Sequence, residues 1–136
     1  MFGRTVLAAT ALAASALTVP AALPHAHAAA RRVVELSNAD NGRTVFVTLG
    51  EKVEVKLKAT SGNGVKWVWD VPVASAPHVL RRVSGGTAPS GDARATFRAE
   101  ELGKSTIIAP SRCVVTTPGH VCPRLGVLWR ATVDVL

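Results

Sequence analysis

The sequence predicts an all-β protein, an immunoglobulin-like antiparallel β-sandwich of about seven to eight strands. Three observations carry that reading. Apolar and polar residues alternate with a period of two in runs that recur every 8 to 15 residues beyond position 31. Runs with a helical period are nearly absent from the same region, so no crossover helix is available to build a parallel sheet. Turn-forming residues fall between the alternating runs and not inside them: Asn41-Gly42, Gly50, Thr60 to Gly64, and Gly85 to Asp92.

Residues 1–30 stand apart. They carry one early charge, Arg4, an apolar run from Val6 to Val19, Pro20, and then small residues, the layout of a secretory signal peptide. The run falls short of the roughly 20 residues that a membrane span needs, so no stable membrane insertion is expected. Cleavage is expected near Ala28, after Ala26-His27-Ala28, or near Ala30. No cysteine follows the run, which speaks against a lipid anchor, and Gly3-Arg4 in place of two arginines speaks against folded export. The expectation is a secreted, extracellular chain of one domain, residues 31–136, acting as a monomer.

Within that domain the strands follow in order. Val33 to Leu36 and Thr44 to Leu49 are short apolar runs. In Glu51 to Ala59, Val53, Val55 and Leu57 point one way while Glu54, Lys56 and Lys58 point the other. Val65 to Val71 puts Val65, Trp67, Trp69 and Val71 on one face; Trp67 is the expected core tryptophan, burying on the order of 150 to 250 Å². Val79 to Val83, Ala93 to Ala99 and Lys104 to Ala109 are weaker strands, with a short helical turn expected near Ala99 to Leu102, ended by Gly103. Gly126 to Leu136 closes the domain, with Val127, Trp129, Ala131, Val133 and Val135 inward and Trp129 in the core.

The domain retains all nine acidic residues and fifteen of the sixteen lysines and arginines, a net charge near +6. The cations are scattered, with only Arg31-Arg32 and Arg81-Arg82 adjacent, and no aromatic residues are interleaved with them. Nucleic acid is therefore not an expected partner, and the charge reads as solubility and steering toward acidic partners.

Cys113 and Cys122 are the only cysteines. In an exported chain a disulfide is the default, here closing a ring of about ten residues worth roughly 2.5 to 3 kcal/mol. A metal site would need more ligands than two thiols and His120, and a redox pair normally sits closer, as C-x-x-C. His78 and His120, the only histidines of the domain, lie in loops; no nucleophile elbow, zinc-protease or phosphate-loop motif occurs. The chain is read as no enzyme, with no cofactor and no metal.

The order of pieces resembles a known family. "NGRTVFVTLGEKVEVKL", "GVKW", "SGDARATFRA" and "GKST", spread over about a hundred residues, are similar to the chagasin-like inhibitors of papain-like cysteine peptidases. The resemblance implies a sandwich whose three loops at one end wedge into a peptidase cleft without being cut. It implies a binding site built from residues 60–64, 88–92 and 111–121. The family's N-P-T-T-G loop falls on Ser61-Gly62-Asn63-Gly64, with Gly62 and Asn63 replacing central residues and a more flexible loop expected. Its glycine-rich loop falls on Ser90-Gly91-Asp92. Its R-P-W falls on Arg112-Cys113-Val114, where Val114 stands in place of the aromatic anchor; His120 belongs to the same loop. The expected partner is a papain-like cysteine peptidase. The alternative is a non-inhibitory extracellular binding module on the same scaffold, recognising another protein or an envelope ligand.

Overall fold

A computed structural model describes Gly3 and residues 13–18, 32–123 and 126–136. The expected signal peptide lies outside the described residues except at Gly3 and residues 13–18. No described helix is long and apolar enough to cross a membrane.

Ten strands and one 3₁₀ turn follow Val33 among the described residues: β1 (Val33–Leu36), the 3₁₀ turn Asn38–Asp40, β2 (Thr44–Val47), β3 (Lys52–Leu57), β4 (Thr60–Gly62), β5 (Val65–Trp69), β6 (Val73–Ala74), β7 (Leu80–Thr87), β8 (Ala93–Ala99), β9 (Gly103–Val115) and β10 (Leu128–Val135). They form two sheets, the all-β sandwich that the alternation predicts. The four-stranded sheet has the order β1-β3-β8-β7, and the six-stranded sheet β2-β10-β9-β5-β4, with β6 also pairing β9.

Two pairings are parallel, β1 with β3 and β10 with β2, where the sequence predicts antiparallel strands throughout. The reason is the path of the chain. β2 lies in the opposite sheet, so the chain leaves the first sheet after β1 and returns with β3 running the same way, with no helix needed. The count exceeds eight because β4 and β6, of three and two residues, are too short to show a period.

The core alternates as the residue types require. Val53, Val55 and Leu57 of β3 are buried while Lys56 is exposed; Ala95 and Phe97 of β8, Ile107 and Ala109 of β9, and Trp129, Ala131 and Val133 of β10 are buried as well. The Trp129 indole N–H donates to Ser37 O at 3.0 Å, and that of Trp69 donates to Lys58 O at 2.9 Å. Both buried rings thus keep their polar handle satisfied.

Several expectations need correction. Trp67 is half-buried and outside the core cluster; Trp69 is the core tryptophan of β5. Trp69 stands level with Lys58, where the four-stranded sheet ends. Trp67, two residues or roughly 6.7 Å further along the strand, projects beyond it. Ala99 to Leu102 forms no helical turn: the backbone bends through Glu101 and Leu102, and Gly103, at φ 134°, opens β9. Val127 is exposed at the mouth of a loop, so the inward alternation of the last strand begins at Trp129.

Strand β9 runs six residues beyond Ala109, through Pro110. Proline lacks a donor, and it is tolerated here because it pairs with Leu128, the first residue of β10, while its carbonyl accepts the Asp70 N–H at 3.0 Å. Past Pro110, β9 leaves β10 and pairs with β5 alone in this stretch, Ser111 to Val115 against Trp69 to Val65.

Candidate functional site: the three-loop end of the sandwich

β3, β7 and β9 all end at one side of the molecule, and the three connections that leave them are tied together. The first is a β-hairpin. β4 pairs with β5 so that Gly62 opposes Val65, leaving a two-residue turn, Asn63-Gly64. Both turn residues have positive φ, 51° and 73°, the backbone that a tight right-twisted hairpin demands and that Asn-Gly adopts most readily. The segment expected as a loop is thus a hairpin whose tip is Asn63-Gly64. Ser61 and Gly62 lie in β4 and not in a loop.

The second connection, 88–92, is a compact turn. Ala88 N–H donates to Asp92 O and Gly91 N–H to Ala88 O, each at 2.9 Å. Its residues lash it to the first. Ala59 N–H donates to Asp92 Oδ1 at 2.7 Å, and Trp69 N–H donates to Gly91 O at 2.9 Å. Gly91, at φ 92°, lies so close to β5 that a Cβ there would overlap Val68 Cγ1.

The third connection starts later than the sequence reading places it. Arg112, Cys113 and Val114 are strand residues of β9, and the loop proper begins at Thr116. The disulfide Cys113–Cys122 is formed, with Cα atoms 5.8 Å apart. Thr116 and Thr117 donate their N–H groups to Gly64 O at 2.9 and 3.1 Å, and the His120 ring occupies the space beside Gly64 Cα. Below the loop, Ser111 forms a latch: its hydroxyl donates to Val127 O at 2.7 Å and accepts the Val127 N–H at 3.0 Å. That side chain is nearly buried, so both bonds are partly shielded from water.

The structure thus brings Ser61, Gly62, Asn63, Gly64, Ser90, Gly91, Asp92, His120 and the disulfide to one end. It separates Arg112 and Val114 from the loop. By strand alternation these two share the face opposite Ser111 and Cys113, and the Arg112 guanidinium donates to Asp70 Oδ1 at 2.9 Å.

Sequence reasoning assigned Trp67 to the core, and the structure places it at the three-loop end instead. It opposes Cys113 in the register, on the part of β5 that projects past the four-stranded sheet. By strand alternation Val115 of β9, an exposed aliphatic residue, shares its face, while the exposed Val114 lies on the other; Val121, 84% exposed, belongs to the third loop. The signal was present in the alternation Ser105, Ile107, Ala109, Ser111, Cys113, which runs through Pro110 unbroken and predicts that β5 and β9 continue together.

No family model and no curated protein matches the chain. Among solved structures, the cysteine protease inhibitor EhICP2 from Entamoeba histolytica matches with a TM-score of 0.54 at 9% identity, over 76% of this chain and 95% of that one. The shared property is the fold. Weaker likenesses are to the inclusion body protein PixA from Burkholderia cenocepacia, with a TM-score of 0.45 at 9% identity over 67% of this chain and 59% of that one. PbICP-C, solved in complex with falcipain-2, gives 0.43 at 12% identity over 78% and 91%.

Proposed function

We propose that this chain is a secreted, non-covalent inhibitor of papain-like cysteine peptidases, and that its three-loop end enters the active-site cleft. The observation that carries the reading is the projecting wedge. β5 and the end of β9 extend beyond the four-stranded sheet, and the hairpin tip, the 88–92 turn and the third loop are cross-bonded through Asp92, Gly64 and the disulfide. A surface fixed before contact loses less entropy on binding, and a partly exposed tryptophan is the kind of anchor that dominates an interface. The fold shared with a cysteine protease inhibitor supports the same conclusion. In this reading Trp67 supplies the aromatic contact absent at Val114, residues 1–30 are removed near Ala28 or Ala30, and no bond to the peptidase is made.

Titrating papain and a cathepsin L-type peptidase with the purified, oxidised protein tests it; stoichiometric, reversible loss of activity is expected, and full activity at micromolar protein rejects it. The second reading, a non-inhibitory binding module, is favoured by one observation: Arg112 is held by Asp70 on the flank of the wedge and away from its tip. Recovery of some other extracellular protein by the immobilised wedge, with peptidases left behind, would establish that alternative.

A further inference from the structure

The outer face of the four-stranded sheet carries charge in an arrangement that folding alone disfavours. The registers of β3, β8 and β7 place Lys52 opposite Arg98, and Arg98 opposite Arg81, in one row. Four residues along, about 13 Å away, Lys56 opposes Arg94 in a second row, and Arg94 opposes Gly86. Like charges directly opposite one another destabilise a sheet. A cation on an edge strand such as β7 protects against sheet-to-sheet pairing, but β3 and β8 are the two inner strands, so that reason does not reach Lys52, Arg94 or Arg98. None of these three takes part in an ion pair among the described residues, whereas Lys56 and Arg81 are paired with Glu54 and Glu100. The Nε of Arg98 is buried and has no hydrogen-bond partner.

The second row opens into a groove of about 690 Å³ over β8, between β3 and β7. Its charged lining is Lys56, Lys58 and Arg94 against the single carboxylate of Asp92, and one oxygen of that carboxylate is committed to Ala59 N–H. Gly86 lies in the wall of the groove. A Cβ there would meet nothing within 4 Å, so the fold leaves the space open without needing it.

We infer that this face binds an anionic polysaccharide, a linear chain bearing sulfate or carboxylate groups, lying across β3, β8 and β7. The outward positions of these strands hold no aromatic side chain, so the anchors of a protein interface and the stacking platforms of single-stranded nucleic acid are both missing. A flat sheet face also offers no helix or ribbon to enter a duplex groove. A charged polysaccharide needs only cations at intervals along an extended track, and the two rows supply them. The groove shares Ala88, Pro89 and Asp92 with the 88–92 turn, but the inference does not rest on the reading of the three-loop end as a peptidase wedge.

The test uses the full chain and heparin as the probe, with duplex DNA and polyglutamate at equal charge, near physiological salt of about 0.15 M. Heparin should bind tighter than the other two and should be released by added salt. Gly86→Glu, which sets a carboxylate against Arg94 in space the fold leaves empty, should weaken heparin binding by about tenfold. The triple variant K52Q/R94Q/R98Q should do the same, while R43Q/K104Q/R130Q, with the same net charge but altered on or beside the other sheet, should change it less than about threefold. Equal losses from the two triple variants, an unchanged affinity in Gly86→Glu, or DNA or polyglutamate binding as tightly as heparin would each overturn the inference.

Discussion

The imidazole of His120 lies against Gly64, in the position that a side chain at residue 64 would fill. Two of the three connections at the wedge end therefore meet at one glycine, whose carbonyl also accepts both threonine amides of the third loop. Gly64 is needed twice, once for its φ of 73° and once for the ring beside it. Gly64→Ala should cost about 1 to 2 kcal/mol for the backbone alone, read by denaturant titration, and the overlap should add to it. Adding His120→Ala should recover the overlap and not the backbone cost. A double variant no more stable than Gly64→Ala would show that the ring does not rest on Gly64.

Trp67 and Trp69 are two residues apart, and the structure gives them different work. Trp69→Ala empties a core site and should cost about 3 to 5 kcal/mol of stability. Trp67→Ala removes a half-exposed ring and should cost stability less than half as much. On the proposed function it should weaken peptidase inhibition by at least 2 kcal/mol, about thirtyfold. Inhibition constants and melting temperatures of the two variants separate the roles; a Trp67→Ala protein that inhibits at parental strength would remove Trp67 from the interface.

The sandwich was legible because burial on one side of each strand imposes a period of two, visible in Val53, Val55 and Leu57 and in Trp129 to Val135. Period alone does not say how far one sheet overhangs the other. That is why Trp67, at the correct parity for the core, lies outside it: core position depends on whether the opposite sheet extends that far, and β3 stops at Leu57. Pro110 concealed the length of β9, since a missing donor reads as a strand end unless the partner strand happens to begin there. The hairpin tip was legible in Asn63-Gly64, a dipeptide that adopts the positive φ of a two-residue turn. Contacts made by main-chain atoms, such as those on Gly64 O, leave no mark in residue types. The expected leader, by contrast, is read from composition and falls largely outside the described residues.

Reduction or loss of the disulfide should act on the third loop before the sandwich. Cys113→Ser with Cys122→Ser removes a bridge between residues nine apart in sequence, a change of roughly 2.5 to 3 kcal/mol in the chain-entropy model. Thr116, Thr117 and His120 should lose their fixed positions against Gly64, and on the proposed function a peptidase complex should dissociate faster with little change in association. Stopped-flow and dissociation measurements on oxidised and variant protein check this, and equal release rates would contradict preorganisation by the bridge.

Ser111 holds the other end of the same loop. Ser111→Ala leaves the main-chain pair between Ser111 N–H and Val127 O, at 3.0 Å, and strips the hydroxyl that satisfies Val127 N–H. The expected cost is about 1 kcal/mol, the worth of a part-buried hydrogen bond whose donor can turn partly to water. Hydrogen exchange at the Val127 amide should quicken in step with the stability loss. An unchanged exchange rate would place the protection elsewhere.

Acid should weaken the fold through two carboxylates. The Asp40 carboxyl is held below its ordinary value of 3.8, chiefly by the Ser37 N–H at 2.7 Å, with Arg43 assisting. That of Glu51 is held below 4.5, chiefly by the Thr48 hydroxyl, with Arg32 at 2.8 Å assisting and the Thr48 N–H adding a further bond. A carboxyl whose folded value is depressed contributes fully above its unfolded value and loses that contribution as pH falls through the folded one. Melting temperature should therefore be level from neutrality down to about pH 5 and decline below about pH 4. The arginine partners are exposed and both carboxylates keep some access to water, so added salt should shrink the arginine contribution and leave the local hydrogen bonds. D40N/E51Q should melt lower than the parent near neutrality and converge on it in acid. Parallel curves, offset by the same amount at every pH, would mean that neither carboxylate governs the acid limb.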